Sequence, residues 1–162
     1  MRPNATGADS VATMILAAPG DTPYNVMLLL HILALIVGFS PAFVHPILSR
    51  QMADSSDRSA LLRFMAANSM RIYSSGIIVA GLIGFGIAGM SDEAYKMSQA
   101  WLAIAFVVWV AILGVMHAMV IPGEKAMANG DRAAESKATL GVTIITVLMI
   151  VELYLMIFKP GL

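Results

Sequence analysis

The chain has 162 residues, of which 59% are hydrophobic and only 12% are charged, and its formal net charge is zero. Soluble domains carry about 45–50% apolar and about 25% charged residues, so this composition indicates a membrane protein. The zero net charge gives no support for nucleic-acid binding. The sequence contains no cysteine, which excludes disulfides, thiolate metal sites, iron–sulfur clusters and cysteine nucleophiles.

Residues 1–23 are predicted to form an N-terminal tail of a single transmembrane domain that covers residues 1–162. The apolar run in this tail, residues 11–18 (VATMILAA), is too short to cross a bilayer, which takes about 20 apolar residues. A short interfacial helix and a mobile tail are the two alternatives for it. The features of a cleaved signal peptide are weakly developed in this sequence.

The first membrane span is predicted over residues 24–46. No charged residue occurs from Val26 to Val44, and a run of that length can cross a hydrocarbon core about 30 Å thick. Pro41 lacks the N–H that would bond to the carbonyl four residues earlier, which predicts a kink at this proline. Pro46 is predicted to end the helix, because the residue before a proline is pushed toward extended geometry.

Two histidines of the first span, His31 and His45, are predicted to share one helix face. They are fourteen residues apart, and at about 100° per residue this separation returns nearly to the same direction. Gly38 and Ala42 lie on the same face between them. Small residues let a neighbouring helix approach closely, so we predict that this face points into a helix bundle.

The second membrane span is predicted over residues 70–90. Small residues recur at every fourth position of this span, at Gly76, Ala80, Gly84 and Ala88. Such a stripe is typical of a helix-packing face. It could pack within the same bundle or against a second copy of the chain.

The third and fourth spans are predicted over residues 100–121 and 138–158. Pro122-Gly123 is expected to end the third span, and the charged residues 124–137 are expected to be solvated. Glu152 lies inside the fourth span. Four spans joined by short connections predict an all-α, up-down four-helix bundle in the membrane.

Basic residues predict the orientation of this bundle. Cytoplasmic flanks are enriched in Lys and Arg. Seven basic residues flank the first and third connections, against three on the opposite side, which predicts that both termini lie outside the cytoplasm. The seven are Arg50, Arg58, Arg63, Arg71, Lys125, Arg132 and Lys137, and the three are Arg2, Lys96 and Lys159.

The ionisable residues inside the spans are functional candidates, because such groups are costly in a membrane. His31 and Glu152 each lie about 10 Å from the outer side by helix rise, so we predict that the two face the bundle interior and meet. The pair would be a polar clasp or a proton site. His45 and His117 lie toward the cytoplasmic ends of their helices and form a second candidate cluster.

Residues 30–50, LHILALIVGFSPAFVHPILSR, resemble the first helix of an uncharacterised family of bacterial four-helix integral membrane proteins. More distantly, that family resembles the membrane domain of copper-resistance D proteins and the four-helix membrane protoporphyrinogen oxidases. The ending Met156–Pro160, MIFKP, is also similar to their last helix. The resemblance implies a location in the bacterial inner membrane and places His31, in Leu30-His31-Ile32, where the oxidases have a histidine that works with haem b.

Haem b is therefore a candidate cofactor, with His31, His45 and His117 as candidate ligands. A haem held between two histidines needs both at one depth, which His45 and His117 satisfy; His31 and His117 lie about 15 Å apart along the membrane normal. Haem can also be held by one histidine alone. A Cu(I) site at Met116, His117 and Met119 is a further hypothesis. The alternative to both cofactor hypotheses is that the histidines only form hydrogen bonds to neighbouring helices and the methionines fill the core.

Two functions of different classes follow from these observations. The first, which we favour, is a non-enzymatic bundle in the lipid bilayer, an accessory or partner-binding protein with a His/Glu site, acting as a homo-oligomer or with a membrane-protein partner. The second is a haem-linked redox protein, for which His31 is the main support; copper handling is a third reading. The sequence leaves open whether the protein is an enzyme.

Overall fold

The computed structural model describes residues 19–51, 58–91 and 94–161. Most of the predicted N-terminal tail, residues 1–18, lies outside these ranges. Within them, four helical spans are each long and apolar enough to cross a membrane, which confirms the predicted all-α bundle. The four spans are Thr22–Leu48, Arg58–Gly89, Ala100–Ala128 and Ala134–Phe158.

Two of the four spans are interrupted by a π-helical turn, in which hydrogen bonds join residues i and i+5. We number the α-helices in chain order and name the two interruptions the first and second π turns. The elements are α1 (Thr22–Gln51), α2 (Arg58–Asn68), the first π turn (Ser69–Ser74), α3 (Ser75–Gly89), α4 (Ala100–Val115), the second π turn (Met116–Val120), α5 (Ile121–Ala128) and α6 (Ala134–Phe158).

The bundle has two distinguishable ends. At the hairpin end, the chain passes from α1 to α2 and from α5 to α6, and Arg58 donates to both carboxylate oxygens of Glu135 at 3.0 Å. The terminal end carries the start of α1, the α3–α4 connection and the end of α6. There the Lys159 ammonium lies 5.4 Å from the centre of the Tyr95 ring. These two contacts tie the second span to the fourth at one end, and the fourth to the α3–α4 connection at the other.

The first and second spans pack with their backbones in direct contact. A Cβ atom added to Gly38 would lie 2.8 Å from the amide nitrogen of Ile77, and one added to Gly76 would lie 2.9 Å from the amide nitrogen of Gly38. At Gly84 the added atom would lie 3.2 Å from Cε1 of His31. The small-residue stripe of the second span therefore packs within its own bundle.

The third and fourth spans approach each other closely near the hairpin end. A Cβ atom on Gly123 would lie 2.9 Å from the Cβ of Ala138, and one on Gly141 would lie 2.8 Å from a methyl carbon of Val120. The outward faces of the spans carry large exposed apolar side chains, such as Ile157, which is 68% exposed. Those faces are compatible with lipid contact.

The core between the two ends is apolar and centred on Ile77 and Ile112, which are each 1% exposed. Trp109 crosses from α4 to the second span and donates its indole N–H to the Ile77 carbonyl at 2.9 Å. The indole occupies the space left by Gly81, where an added Cβ would clash with the ring. A glycine on the second span thus determines where this tryptophan packs.

Two predicted helix ends were misplaced, and both involve proline. α1 continues through Pro41 and Pro46 to Gln51. Pro41 leaves the Val37 carbonyl without its usual partner, and that carbonyl accepts a hydrogen bond from Ser40 Oγ at 2.8 Å. The Val37 carbonyl therefore keeps a hydrogen bond although the helix continues past Pro41.

The third span was predicted to end at residue 121, but it continues to Ala128. Pro122 lies in the first turn of α5, where a proline is tolerated because the first N–H groups have no partner within the helix. The preceding π turn has already displaced the hydrogen-bond ladder, since the Ile121 N–H donates to the Met116 carbonyl five residues earlier. This extension places Glu124 inside the bundle.

Candidate functional site

The candidate site is a buried polar cluster near the hairpin end, made of His45, Ser69, Tyr73 and Glu124; we call it the hairpin-end cluster. Three helical spans contribute to it: α1 carries His45, the first π turn carries Ser69 and Tyr73, and α5 carries Glu124. His45 is 4% exposed, Ser69 is 1% exposed and Glu124 is 2% exposed. The prediction that Glu124 is solvated was wrong, because the third span does not end at Pro122.

Glu124 is the centre of the cluster. Its Oε1 lies 3.2 Å from His45 Nδ1, and its Oε2 is hydrogen-bonded to the hydroxyl of Ser69. The Tyr73 ring meets the His45 imidazole edge-on, with 5.3 Å between ring centres. Both carboxyl oxygens and one imidazole nitrogen are therefore partnered inside the protein.

The Ser69 hydroxyl has one hydrogen but two acceptor partners. Its Oγ lies 2.8 Å from the Met65 carbonyl and also contacts Glu124 Oε2. A carbonyl oxygen can only accept, and an ionised carboxylate can only accept. All contacts are satisfied together when Glu124 carries a proton, since its O–H can then donate to Ser69 while Ser69 donates to Met65. Without that proton, the single hydrogen of the Ser69 hydroxyl can be donated to only one of these two acceptors.

His45 has a second nitrogen with a different environment. Nε2 is buried and has no hydrogen-bond partner among the described residues. A cavity of about 20 Å³ lies beside the cluster and is lined from all four spans, by Ala42, Tyr73, Glu124 and Ile145 among others. This volume is of the order needed for one water molecule.

The two π turns connect this cluster to His117. Residues five apart stack above each other in a π turn, and Ser69 and Ser74 are both only 1% exposed. Ser74 Oγ lies 2.9 Å from His117 Nε2 in the second π turn. One π turn therefore presents one serine to Glu124 and another to His117.

His31 faces the bundle interior, as predicted, but its partner lies on the second span. Nδ1 is 2.7 Å from the carbonyl of Ala80, and the side chain is 8% exposed. Because the carbonyl only accepts, Nδ1 must carry the hydrogen. In a neutral imidazole, Nε2 then keeps its lone pair.

Glu152 is also buried, with 8% exposure, and its Oε2 has no hydrogen-bond partner in the part of the chain that the structure describes. The hydrogen bonds of that part include none between His31 and Glu152. Gly84 leaves room for the imidazole against α3, where the Ala80 carbonyl takes its Nδ1 hydrogen. His31 and Glu152 are thus both buried, but no hydrogen bond joins them.

The other candidate ligands are dispersed. His45 binds Glu124 and His117 binds Ser74, so the two histidines have different partners. Met116 is 3% exposed, His117 is exposed and Met119 is half-buried, so consecutive side chains point in different directions. Within residues 19–51, 58–91 and 94–161, no three His, Asp or Glu side chains are grouped to hold a metal ion.

Glu124 and Ser69 were not singled out from the sequence, although one signal pointed to Glu124. Ile112, Met116, Val120 and Glu124 recur at every fourth position, and the first three are each 3% exposed or less. The series shows one buried helix face that continues past Pro122 to the carboxylate. No comparable spacing of residues in the sequence indicated the two π turns.

The fold and the cluster define a multi-pass membrane bundle with ionisable groups buried between its helices. Comparisons with protein-family models, with curated proteins and with solved structures found no match.

Proposed function

We propose that the protein is an accessory or partner-binding bundle of the bacterial inner membrane that binds and releases a proton at the hairpin-end cluster. The observation that carries this proposal is the sharing of Ser69 Oγ between Glu124 and the Met65 carbonyl. One proton on Glu124 decides whether that set of hydrogen bonds is complete. Ionisable groups buried in membrane bundles commonly serve in proton relays, which supports this assignment.

His45 contributes a second place for the same proton. Its Nδ1 lies 3.2 Å from Glu124 Oε1, so the carboxylate and the imidazole can share one proton. The cavity beside Tyr73 gives room for one water next to the pair. The carboxyl, the imidazole and a water in this cavity would be close enough to pass a proton between them.

The excess of Lys and Arg at the hairpin end favours a cytoplasmic location for this end, with both termini outside. The cluster would then exchange its proton with the cytoplasm. A reporter enzyme fused to the C-terminus should be active only outside the cytoplasm. Activity of that reporter in the cytoplasm would overturn the orientation.

The proton site can be tested by NMR of the histidine ring nitrogens in protein reconstituted into lipid nanodiscs. We expect one set of ring signals to disappear in His45→Gln, which assigns His45, and the pH response of that set to change in Glu124→Gln. His117→Gln is the matched control and should leave the His45 response unaltered. An identical His45 response with and without the Glu124 carboxyl would contradict the proposal.

One observation favours a second function, a haem b-linked redox protein. The bond from His31 Nδ1 to the Ala80 carbonyl fixes the ring and leaves Nε2 as a base, an arrangement common in histidines that bind metals. His31 would hold the haem, which would supply one-electron chemistry. A Soret band in purified protein that is lost in His31→Ala but kept in His117→Ala would support this function. A colourless protein from haem-supplemented cells would oppose it.

A further inference from the structure

Glu152 lies in the half of the bundle opposite the hairpin-end cluster. It is six residues before the end of α6 at Phe158, or about 9 Å inside the terminal end by helix rise. The side chain is 8% exposed, and Oε2 is buried without a hydrogen-bond partner among the described residues. Neither the hairpin-end cluster nor the proposed function uses this carboxyl.

The helices packed against α6 bring no cation to this carboxyl. α4 contains no titratable side chain, and the second π turn contains only His117, which is bonded to Ser74. The main contacts to α6 come from α4, the second π turn, α5 and α1, and α2 reaches it at the hairpin end, where Arg58 is paired with Glu135. On α5 and α1 the titratable or charged residues are Glu124, Lys125, Tyr24, His31, His45 and Arg50.

Only two of those six, Tyr24 and His31, lie in the terminal half, and His31 binds Ala80. Lys159, seven residues along from Glu152, lies over the Tyr95 ring. Neither the His45–Glu124 nor the Arg58–Glu135 salt bridge includes Glu152. A charged Glu152 would therefore be an uncompensated anion between apolar helices.

We propose that Glu152 is a proton-binding site of its own, held as a neutral carboxylic acid that exchanges its proton with the terminal side of the membrane. Burial of an isolated carboxylate costs far more than burial of the protonated acid, so the group takes up a proton. The indole N–H of Trp101, on the adjacent α4, is a second buried polar group without a partner in the described chain. Trp101 is the second residue of α4, so by helix rise it lies nearer the terminal end than Glu152 does.

The position of Glu152 separates this site from the hairpin-end cluster. Along their spans, the buried apolar residues Phe39, Ile77 and Ile112 lie between the positions of the hairpin-end cluster and those of the terminal half. The bundle thus holds a protonatable carboxyl in each half, and each exchanges with its own side. This inference does not depend on the proposed function, because Glu152 has no contact with the hairpin-end cluster.

The test is infrared spectroscopy of the full chain in lipid nanodiscs at neutral pH. A protonated carboxylic acid gives a carbonyl stretching band that is distinct from the carboxylate bands and shifts in D₂O. We expect such a band in the wild type and its loss in Glu152→Gln. Glutamine resembles the neutral acid in size and polarity, so this variant should fold with little change in thermal stability.

Glu124→Gln is the matched control, because Glu124 is the other buried acid of the spans, and a band due to Glu152 must survive it. Glu152→Asp should shift the same band, which provides a second measurement should Glu152→Gln fold poorly. If both Glu152 variants alter only carboxylate bands, Glu152 is ionised and the proposal is wrong. Failure of Glu124→Gln to affect His45 would count against the proposed function alone.

Discussion

The two halves of the bundle contain the same pair of residue types but use them differently. Toward the hairpin end, His45 on the first span binds Glu124 on the third at 3.2 Å. Toward the terminal end, His31 on the first span binds the Ala80 carbonyl, while Glu152 on the fourth keeps an unpartnered oxygen. Equal depth in the membrane is therefore insufficient to pair a histidine with a carboxylate.

Helix contact explains the difference. The first span packs closely along α3 through Gly38 and Gly76, so a histidine in that region meets the second span before it reaches the fourth. Beyond the π turns, α2 packs against α5 instead, and Glu124 lies within reach of α1. The hydrogen-bond partner of each histidine is therefore determined by which helices are in contact at its depth in the membrane.

The largest effect is expected from a substitution that breaks the backbone contact between the first and second spans. Gly76→Leu places a branched side chain where an added Cβ already lies 2.9 Å from the backbone of Gly38. Overpacking typically costs about 1–3 kcal/mol and occasionally more. Because the clash here is with backbone that has little room to shift, we expect loss of folded protein or a large fall in melting temperature in detergent. Gly114→Leu is the control, because nothing lies within 4 Å of its Cβ position. Equal stability of the two variants would show that the backbones do not touch.

The next effect concerns the hairpin-end pair. Glu124→Ala removes the partner of both His45 and Ser69 and leaves buried polar atoms unbonded, which should destabilise the bundle by about 3 kcal/mol. Glu124→Gln keeps one acceptor and should cost less. Thermal melts of the two variants in one detergent give the comparison, and an unchanged melting temperature in Glu124→Ala would refute the burial of this pair.

A smaller effect is expected toward the terminal end. Gly84→Leu would displace the His31 ring, which lies 3.2 Å from the Cβ position, and separate Nδ1 from the Ala80 carbonyl. The loss of one neutral hydrogen bond costs about 1 kcal/mol, to which strain adds. We expect a moderate fall in melting temperature and a change in the His31 ring signals in NMR. His31 signals identical to those of the wild type would show that the ring lies elsewhere.

The smallest effect is expected for the exposed ion pair at the hairpin end. Arg58→Ala breaks the bond to Glu135, whose side chain is 49% exposed. Exposed pairs contribute about 0–1 kcal/mol, so the melting temperature should hardly change. A fall as large as that of Glu124→Ala would mean that surface charges, and not the buried pair, hold the hairpin end together.

The sequence was sufficient for the fold because uncharged apolar runs and a repeated small-residue stripe report directly on bilayer length and helix packing. Gly76 and Ala80 pack as predicted. The candidate site was less predictable. Proline chemistry suggested that the third span ends before Glu124, whereas a π turn ahead of Pro122 let the helix continue. The partner of His31 is a backbone carbonyl, and every residue offers one, so no side-chain pattern could single out Ala80.

The two π turns also change the helical phase between the two segments of the second span and between those of the third span. Each π turn accommodates one residue more than an α-helical turn, and one residue corresponds to about 100° of azimuth. If residues 69–74 were wound as α-helix instead, α2 would turn relative to α3 by about that angle, whereas deletion of one residue there would restore an uninterrupted α-helix with the two faces still in register. The phase of each long span is thus set separately in its two segments, so the hairpin end and the terminal end can diverge in sequence without sharing one helical register.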